Sequence, residues 1–459
     1  MRTVLSIQSD FDPATDAEKL KVRVVRSSFN AFRAEFNYPL SLVAREQADW
    51  GLPDGVLLRG RAVRDSLKLH PGVGEILKQL FAAPIGQKQP LFVMLAQSEA
   101  EQISWETLCD GNDQFVALDP RWPIARITDP TSGGLRPPAA LRLPVRLMAL
   151  ISAIGIDGQV KEWRALRDAV VAARAAGLPV AVKVMVGEPS LLQAVSDDIA
   201  KFGGGLADVE VTSIAKTATA VVQDIGAWSP NILHVFCHGR SDELEQSIEL
   251  ANGLDYANVD AKTSSVRIRV NQLATLGMSL ANPWLLTLNC CSGGRAASNL
   301  HSMAHQVVSN GFPAAVAMLE PVDAGDAHEF TRAFYRSLFT SIGAAVVSLK
   351  TAAQVSFEWC DAMVYARTAI SELHQSDSGN AREWTLPVLY VRGVEPFTFD
   401  RPIAGPEPEA DAYRAKARLV AEWLQAVGQE KDEKDLRFVM ARTLDDVPEA
   451  FWPKVDGTF

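Results

Sequence analysis

The sequence predicts an α/β protein in which helices flank a mostly parallel sheet, with a smaller strand-rich region ahead of it. Short apolar runs alternate with helical periods between residues 143 and 395, which is the pattern of parallel strands joined by crossover helices. Residues 1–126 instead hold several strand-like segments and one helical segment. At roughly 150 residues per domain, a chain of 459 residues has room for about three domains. We expect a strand-rich N-terminal region over 1–126 that packs on the core, a core over 143–395, and a C-terminal linker with a helical tail over 396–459.

The N-terminal region is predicted to contain strands at VLSIQS, at KVRVVRS and over the alternating residues 29–36, followed by a helix near 71–84. QPLFVMLAQ and FVALDP predict two further strands. Between them, Ser104 is predicted to cap a short helix that carries Cys109. Residues 127–142 are dense in Pro, Gly and Ser, which makes them the best domain boundary in the chain.

The core is predicted to begin with the strand VRLMALISAIG and to continue with helices near residues 159–176, 190–202 and 296–310. A hairpin is expected at SIELANG and SSVRIRV, before a short helix at NQLATLG. In the tail, residues 409–427 have helical spacing with an apolar face that either packs on the body or docks a partner, and packing is the simpler interpretation. The other predicted strands of the core are PVAVKVMV, DVEVTSI, NILHVFCHG, WLLTLNCC, AAVAMLEPV and LPVLYVR.

Charge and cysteine content disfavour several classes of protein. Lys and Arg total 45 against 55 Asp and Glu, a net charge of −10, and no basic stripe offsets it, so direct nucleic-acid binding is not expected. Five cysteines are too few and too scattered for a disulfide framework, which favours a reducing compartment and a cytoplasmic location. The first residues hold too short an apolar run for a signal peptide, and no apolar stretch is long enough to span a membrane.

Two predicted strands end in residues that suit catalysis. HVFCHGR spans residues 234–240 and LNCCSGG spans residues 288–294, and ligand sites gather at the carboxyl ends of parallel strands. His238 and Cys291 are therefore expected to meet. A thiol with a pKa of about 8.5 is mostly protonated at neutral pH, so it needs a nearby imidazole for activation. The pair predicts a catalytic dyad with His238 as the base and Cys291 as the nucleophile.

The residues around this pair fit the same chemistry. Gly239 lets the backbone approach a scissile carbonyl closely, so its amide and the amide of Cys291 are predicted to form the oxyanion hole. His238 precedes Cys291 by 53 residues, close to the spacing of about 50 residues in caspases. Cys290 stays an alternative nucleophile because both cysteines fit C-x-x-G, although only Cys291 fits the Cys-x-Gly spacing of caspases.

These motifs resemble those of the CHAT family of caspase-like peptidases. That family has a strand ending in a His-Gly pair and, about 50 residues later, a strand ending Leu-Ser-Ala-Cys-x-Thr-Gly. The matching segments here are CHG at 237–239 and LNCCSGG at 288–294, which put the family's cysteine on Cys291 and its serine on Asn289. Further segments match in order and spacing over about residues 85–395.

The resemblance implies a caspase-like sandwich and a cysteine endopeptidase that cleaves a protein substrate without a metal or organic cofactor. It also implies a prokaryotic setting in which a protein partner or signal activates the peptidase in antiviral defence or programmed cell death. The alternative is a catalytically silent module of the same fold that binds a regulator or an effector. The intact His238 and Cys291 count against that alternative, because a silent module has no chemical need for either.

Two residues are predicted to contact the substrate. Caspase-like enzymes that cleave after Lys or Arg commonly have an Asp two residues before the cysteine, where this chain has Asn289. An uncharged amide gives no reason to expect a basic residue before the cleaved bond. Asp323, with Asp326, can supply charge from beyond the next strand, although capping of the following helix explains both more simply.

Metal binding is the main rival interpretation of the histidines and cysteines. Neighbouring side chains on a strand face opposite ways, so a shared zinc site is not expected at His234, Cys237, His238, Cys290 and Cys291. His301 and His305 are four residues apart on a predicted helix, but the Glu of H-E-x-x-H is missing. His234 shares the strand face of His238 but lies about 13 Å from it along the strand, too far to act as a second base. We therefore predict no metal site.

Overall fold

The computed structural model describes most of the chain between residues 2 and 401. The described residues are 2–12, 17–29, 38–41, 50–95, 98–101, 103–128, 139–152, 154–155, 158–241, 245–258, 264–290, 302–374 and 378–401, together with 416, 420 and 444. The strand predicted over residues 29–36 and the tail helix predicted over residues 409–427 lie almost wholly outside these ranges.

Strands and helices alternate through most of the described chain. The strands are β1 (Thr3–Asp12), β2 (Ala17–Arg26), β3 (Tyr38–Ser41), β4 (Leu91–Leu95), β5 (Ile124–Thr128), β6 (Ala139–Ala140), β7 (Val145–Ile151), β8 (Val180–Val186), β9 (Glu210–Ser213), β10 (Ile232–Ser241), β11 (Gln246–Leu250), β12 (Val266–Arg269), β13 (Leu285–Cys290), β14 (Ala314–Met318), β15 (Gln354–Phe357), β16 (Pro387–Arg392) and β17 (Phe397–Asp400). The helices are α1 (Gly55–Lys68), α2 (Pro71–Phe81), α3 (Ser98–Glu101), α4 (Gln159–Ala175), α5 (Pro189–Phe202), α6 (Ala218–Trp228), α7 (Gly253–Ala257), α8 (Val270–Ser279), α9 (Met303–Asn310), α10 (Ala324–Ser348) and α11 (Cys360–Leu373).

Fourteen of the described strands form one sheet in the order β3, β2, β1, β4, β5, β16, β14, β13, β10, β7, β8 and β9, with β11 and β12 continuing from β10 as an antiparallel ribbon. The six strands from β14 to β9 are mutually parallel. β16 is antiparallel to β14 but parallel to β5, so it joins the strands of the N-terminal region to those of the core. The predicted mostly parallel sheet flanked by helices, preceded by N-terminal strands, is confirmed.

Each face of this sheet packs on its own set of helices. Alternate residues along β10 divide between two hydrophobic clusters, with Phe236 in the cluster that includes helices α4 and α10 and Val235 in the cluster that includes α6, α8 and α9. This division follows from the two-residue period of a strand buried on both faces. It also means that His238, two residues after Phe236, lies on the same strand face as α4 and α10.

Two predictions for the N-terminal region are wrong. FVALDP is not a strand: Val116–Leu118 is a turn of 3-10 helix, and the Val116 amide donates to the Leu108 carbonyl at 2.8 Å, which folds the segment back on itself. Cys109 does not lie on a helix; it forms an isolated bridge with Phe115, because the helical turn before it ends at Thr107. Short apolar runs of this kind do not distinguish a strand from a turn.

Helix α1 was not predicted from the sequence, and its packing explains why. Polar residues interrupt its apolar period, and Gly60 lies in its middle, where glycine ordinarily disfavours a helix. The glycine allows a close approach, since a Cβ at Gly60 would lie 2.2 Å from the carbonyl oxygen of Thr107. Helix–loop contact, which has no local sequence signal, therefore stabilises α1. No helix within the described ranges has the length and apolar character to cross a membrane.

Candidate active site

The two strands that end in the sequence motifs are neighbours in the sheet. β10 and β13 are parallel, with His234 opposite Thr287, Phe236 opposite Asn289 and Cys237 opposite Cys290. Each strand therefore reaches the same edge of the sheet at the same height. Cys291 follows Cys290 in the chain and lies outside the described residues, while His238 follows Cys237 on β10.

His238 is held by a backbone carbonyl. Its side chain is half-buried, and its Nε2 lies 2.6 Å from the carbonyl oxygen of Ile154, in the segment that follows β7. A carbonyl oxygen only accepts hydrogen bonds, so Nε2 carries the proton and donates it. In the neutral ring Nδ1 then has the lone pair, which is the atom that a general base uses. No pattern in the sequence indicates Ile154, because the contact joins residues 84 positions apart.

Gly239 follows His238 in β10 and lies opposite Ile248 of β11. The last residues of β10 thus extend beyond its parallel neighbours and pair with the antiparallel ribbon. Gly239 is half-buried, beside the half-buried His238. The predicted oxyanion role of the Gly239 and Cys291 amides stays a prediction, since Cys291 is outside the described residues.

Asn289 is buried, and its amide nitrogen is used inside the protein. Nδ2 lies 2.9 Å from Oε1 of Glu162 and 3.2 Å from the carbonyl oxygen of Ala327, to which it donates, and 3.1 Å from Oγ1 of Thr331. Oδ1 is buried and makes no hydrogen bond with the described residues. The predicted substrate contact of Asn289 stays a prediction.

Glu162, on the first turn of α4, organises a polar cluster behind the strand ends. Its Oε1 accepts from Thr331 Oγ1 at 2.6 Å and lies 2.9 Å from His234 Nε2, while Oε2 lies 2.6 Å from His328 Nδ1. Because a carboxylate only accepts hydrogen bonds, His328 Nδ1, which bonds it, carries a proton. The carboxylate therefore links α10 to β10 and β13, the two strands that lead to the candidate dyad.

Glu162 is ionised despite complete burial. Burial alone raises the pKa of its carboxyl group, but hydrogen bonds and charge interactions with His234 and His328 outweigh burial and hold the pKa at about 2. His234 continues the network through Nδ1, which lies 3.2 Å from the Tyr335 hydroxyl. His234 is thus part of an internal network that supports the end of β10. Sequence reasoning considered His234 but missed Glu162 and His328, which carry no motif.

A second buried carboxylate holds the other end of the segment that contains Cys291. Ser302 is the first described residue after that segment, and its amide donates to Oε2 of Glu101 at 3.0 Å. The Ser302 side chain caps helix α9 by accepting from the His305 amide at 3.1 Å. Tyr390 on β16 donates its hydroxyl hydrogen to the same Glu101 oxygen at 3.2 Å. The N-terminal region therefore contributes directly to the framework of the candidate site.

Three cysteines outside the candidate dyad, Cys109, Cys237 and Cys360, have buried side chains. Cys237 is 1% exposed and belongs to the hydrophobic cluster on the opposite sheet face from Phe236, as strand alternation predicts. Burial raises the pKa of Cys109 to about 11. Burial also raises the pKa of Cys360 well above its ordinary value. Neither Cys109 nor Cys360 is therefore suited to act as a thiolate at neutral pH.

Asp323 is exposed and caps helix α10, where its side chain accepts from the Gly325 amide at 2.7 Å. Asp326 lies in the first turn, and its Oδ1 is 2.7 Å from His374 Nε2. The predicted helix cap at Asp323 is thus present, while its predicted substrate contact stays a prediction. Within the ranges that the structure describes, no group of three His, Cys, Asp or Glu side chains is arranged to hold a metal ion.

Comparison with protein families identifies the chain. The model of the CHAT domain matches residues 72–357, which is more than half of the sequence. The chain belongs to the CHAT-domain family. The matched range includes β10 and β13 with both predicted catalytic positions, so the resemblance seen in the two motifs is confirmed at the level of the family.

Solved structures similar to this CHAT-family chain include two crystal structures of the Saccharomyces cerevisiae separase–securin complex, at 3.0 and 2.6 Å resolution. The sequence identity is 12% in both, the matches cover 72% and 73% of this chain, and the TM-scores are 0.35 and 0.37. The matches cover only 17% of the separase–securin chain. No protein with a curated description matches this chain.

Proposed function

We propose that this CHAT-family chain is a cysteine endopeptidase with a His238–Cys291 dyad. The observation that supports it most strongly is the contact of His238 Nε2 with the Ile154 carbonyl at 2.6 Å. That contact leaves Nδ1 as the base, on a strand in register with the strand that precedes Cys291. A histidine oriented by a third group is the arrangement that nucleophilic catalysis requires.

In the proposed reaction, His238 Nδ1 takes the thiol proton of Cys291 and the sulfur attacks the carbonyl carbon of the scissile peptide. The carbonyl oxygen becomes an oxyanion, which the amides of Gly239 and Cys291 stabilise. Collapse of this intermediate breaks the C–N bond, and the imidazolium returns its proton to the leaving amine. Water, deprotonated by the same nitrogen, then hydrolyses the thioester and regenerates the thiol.

The buried network supports this proposal by fixing both strand ends. Glu162 bonds Asn289, two residues before Cys291, and contacts His234, four residues before His238. Glu101 bonds Ser302 on the far side of the segment that contains Cys291. A site held on rigid elements in this way keeps the reacting groups in register, which catalysis by proximity needs.

Substrate and setting follow from the family resemblance. We propose a protein substrate, contacted by Asn289 and by the exposed carboxylate of Asp323, and activation by a protein partner or signal in a prokaryotic defence or cell-death system. Asp323 uses its side chain to cap α10, so a substrate contact would be a second role for the same carboxylate.

The test is incubation of the wild type and of Cys291→Ala with the proteins encoded beside this gene, followed by intact-mass analysis of all products. A discrete cleavage by the wild type that is absent from both Cys291→Ala and His238→Ala is expected. The product masses would identify the substrate and the residue before the cleaved bond. Cleavage that survives in both variants would refute the dyad.

A further inference from the structure

Two arginines converge on one tryptophan outside the candidate active site. The guanidinium carbons of Arg59 and Arg382 each lie 4.7 Å from the ring centroid of Trp50. Arg59 is on helix α1, and Arg382 immediately precedes the short turn before β16. Stacking on an aromatic face is a favourable setting for guanidinium groups.

Backbone contacts fix the two segments against each other. The Val56 amide at the start of α1 donates to the Gly379 carbonyl at 3.0 Å. The Asp54 amide donates to Oδ1 of Asn380 at 2.7 Å. The proximity of the two arginines is therefore built into the fold at this point and does not depend on the arginine side chains themselves.

The charges in this cluster are not balanced. Glu320, two residues after β14, forms an ion pair with Arg382. Arg59 is only 6% exposed, its Nε is fully buried, and among the described residues no acceptor bonds its guanidinium. Burial, and then the charge of Arg382, lower the pKa of Arg59, but an arginine side chain stays charged in a protein. Buried charges are ordinarily paired, and the carboxylate among the described residues that raises the pKa of Arg59, Glu320, is already paired with Arg382.

We propose that Arg59 and Arg382 bind a small oxyanion, a phosphate or a carboxylate group of a ligand, over the ring of Trp50. Guanidinium groups bind both anions through paired, parallel N–H donors. The guanidinium groups of Arg59 and Arg382 and the carboxylate of Glu320 together carry a net positive charge, which a singly charged oxyanion neutralises. Glu320 follows β14, the neighbour of β13 in the sheet, so the site lies at the same edge as the candidate dyad. Trp50, Arg59 and Arg382 lie outside the residues that the CHAT model matches.

The test is thermal unfolding of the full chain during titration with inorganic phosphate at constant ionic strength, with a parallel titration with acetate. A ligand at a hundredfold excess over its dissociation constant is expected to raise Tm by about 2 to 3 °C in a chain of this length. Phosphate and acetate separate a tetrahedral from a planar preference. A saturable rise with either anion supports the site.

Two variants decide whether the rise belongs to this site. Arg59→Leu removes the unbalanced charge, so without anion it is expected to be at least as stable as the wild type, and its response to both anions is expected to vanish. Arg61→Leu is the matched control on the same helix. Arg61 pairs with Asp113 at the surface, so its loss should leave the anion response intact.

Three outcomes would overturn the proposal. One is the absence of a saturable rise with both anions in the wild type, as expected if a carboxylate of the chain itself occupies the position. Another is an unchanged response in Arg59→Leu. The third is equal loss of the response in Arg61→Leu, which would mean that the anions act on the general charge of the surface. None of these readouts depends on peptidase activity.

Discussion

At the scale of single residues, Glu162 is the group that connects the candidate dyad to the interior. It is fully buried, and its partners lie on β10, β13 and α10. In Glu162→Gln an NH2 donor replaces one accepting oxygen, so at least one of the buried donors around this side chain loses its acceptor. Unsatisfied buried donors are costly, and the strand ends that precede Cys291 and His238 would shift to find other partners.

Glu162→Gln is therefore expected to lower the rate of Cys291 alkylation and of substrate cleavage by about 10- to 100-fold, because small displacements of reacting groups reduce rates by such factors. Alkylation kinetics followed by intact mass would measure the effect. Asp198→Asn is the matched control. Asp198 lies on α5 and contacts Trp163 and Arg167 of α4, the helix that carries Glu162, but it contacts no residue of β10 or β13. Equal losses in both variants would show that Glu162 acts only through general stability.

The same carboxylate predicts a pH dependence of stability. The pKa of Glu162 is about 2 in the folded chain against an ordinary value of 4.5, so ionisation stabilises the fold fully above pH 4.5 and less as the pH falls towards 2. Between about pH 5 and about pH 3, the wild type should lose roughly 2 kcal/mol more of its free energy of unfolding than Glu162→Gln. Urea unfolding across this range would measure the difference. If the free energies of unfolding of the wild type and Glu162→Gln changed in parallel with pH, the lowered pKa of Glu162 would be contradicted.

At the scale of secondary-structure elements, the N-terminus of α10 separates two roles for Asp323. Asp323→Ala removes the cap and is expected to cost about 1 kcal/mol of unfolding free energy, whereas Asp323→Asn keeps a good cap without the charge. Thermal unfolding and cleavage would be measured for both. Cleavage that falls in Asp323→Asn while stability holds would identify a substrate contact, and wild-type cleavage by Asp323→Asn would exclude a need for its charge.

Elements with a strong period or a motif were predictable from the sequence. Strands β7, β8, β10, β13 and β14 are apolar runs buried on both faces, and their alternation with helices fixed their type. The turn at Val116–Leu118 and the helix Gly55–Lys68 were not, because their conformation depends on contacts with distant backbone, such as Gly60 against Thr107.

The residues of the candidate site also fall into those that sequence patterns indicate and those that they do not. The sequence predicts His238 and Cys291 because their motifs are local and stand at the ends of predicted strands. Ile154, Glu162 and His328 were not found, since each acts through a contact that the fold creates across many residues. Glu162 lies 166 positions from His328. A charged residue on a helix ordinarily indicates an exposed face, so its burial could not be read from the sequence.

At the scale of the whole molecule, the N-terminal strands and the core share one sheet and one hydrophobic cluster. β16 pairs with β5 on one side and with β14 on the other. Arg126 on β5 is fully buried, pairs with Glu106 at 2.7 Å and lies 3.4 Å from the Tyr390 hydroxyl on β16. Contacts of this kind are expected to make the two regions unfold together.

A fragment of residues 143–459 is accordingly expected to fail to fold, because removal of the preceding residues exposes the edge of β16 and deprives Ser302 of Glu101. Near-ultraviolet circular dichroism and thermal unfolding would measure this. The full chain provides the reference and should unfold in one cooperative transition. A fragment with a sharp transition near that of the full chain would show that the core is an independent domain.

The most direct test of the His238–Cys291 dyad is the rate of thiol alkylation at each cysteine near neutral pH, measured by mass spectrometry in the wild type and in His238→Ala. The account predicts rapid labelling of Cys291 and slow labelling of Cys109 and Cys360, whose raised pKa values keep them protonated. His238→Ala should slow Cys291 by at least about tenfold and leave the other thiols unchanged. Slow and equal labelling of all five cysteines, or a Cys291 rate that does not change in His238→Ala, would contradict the dyad.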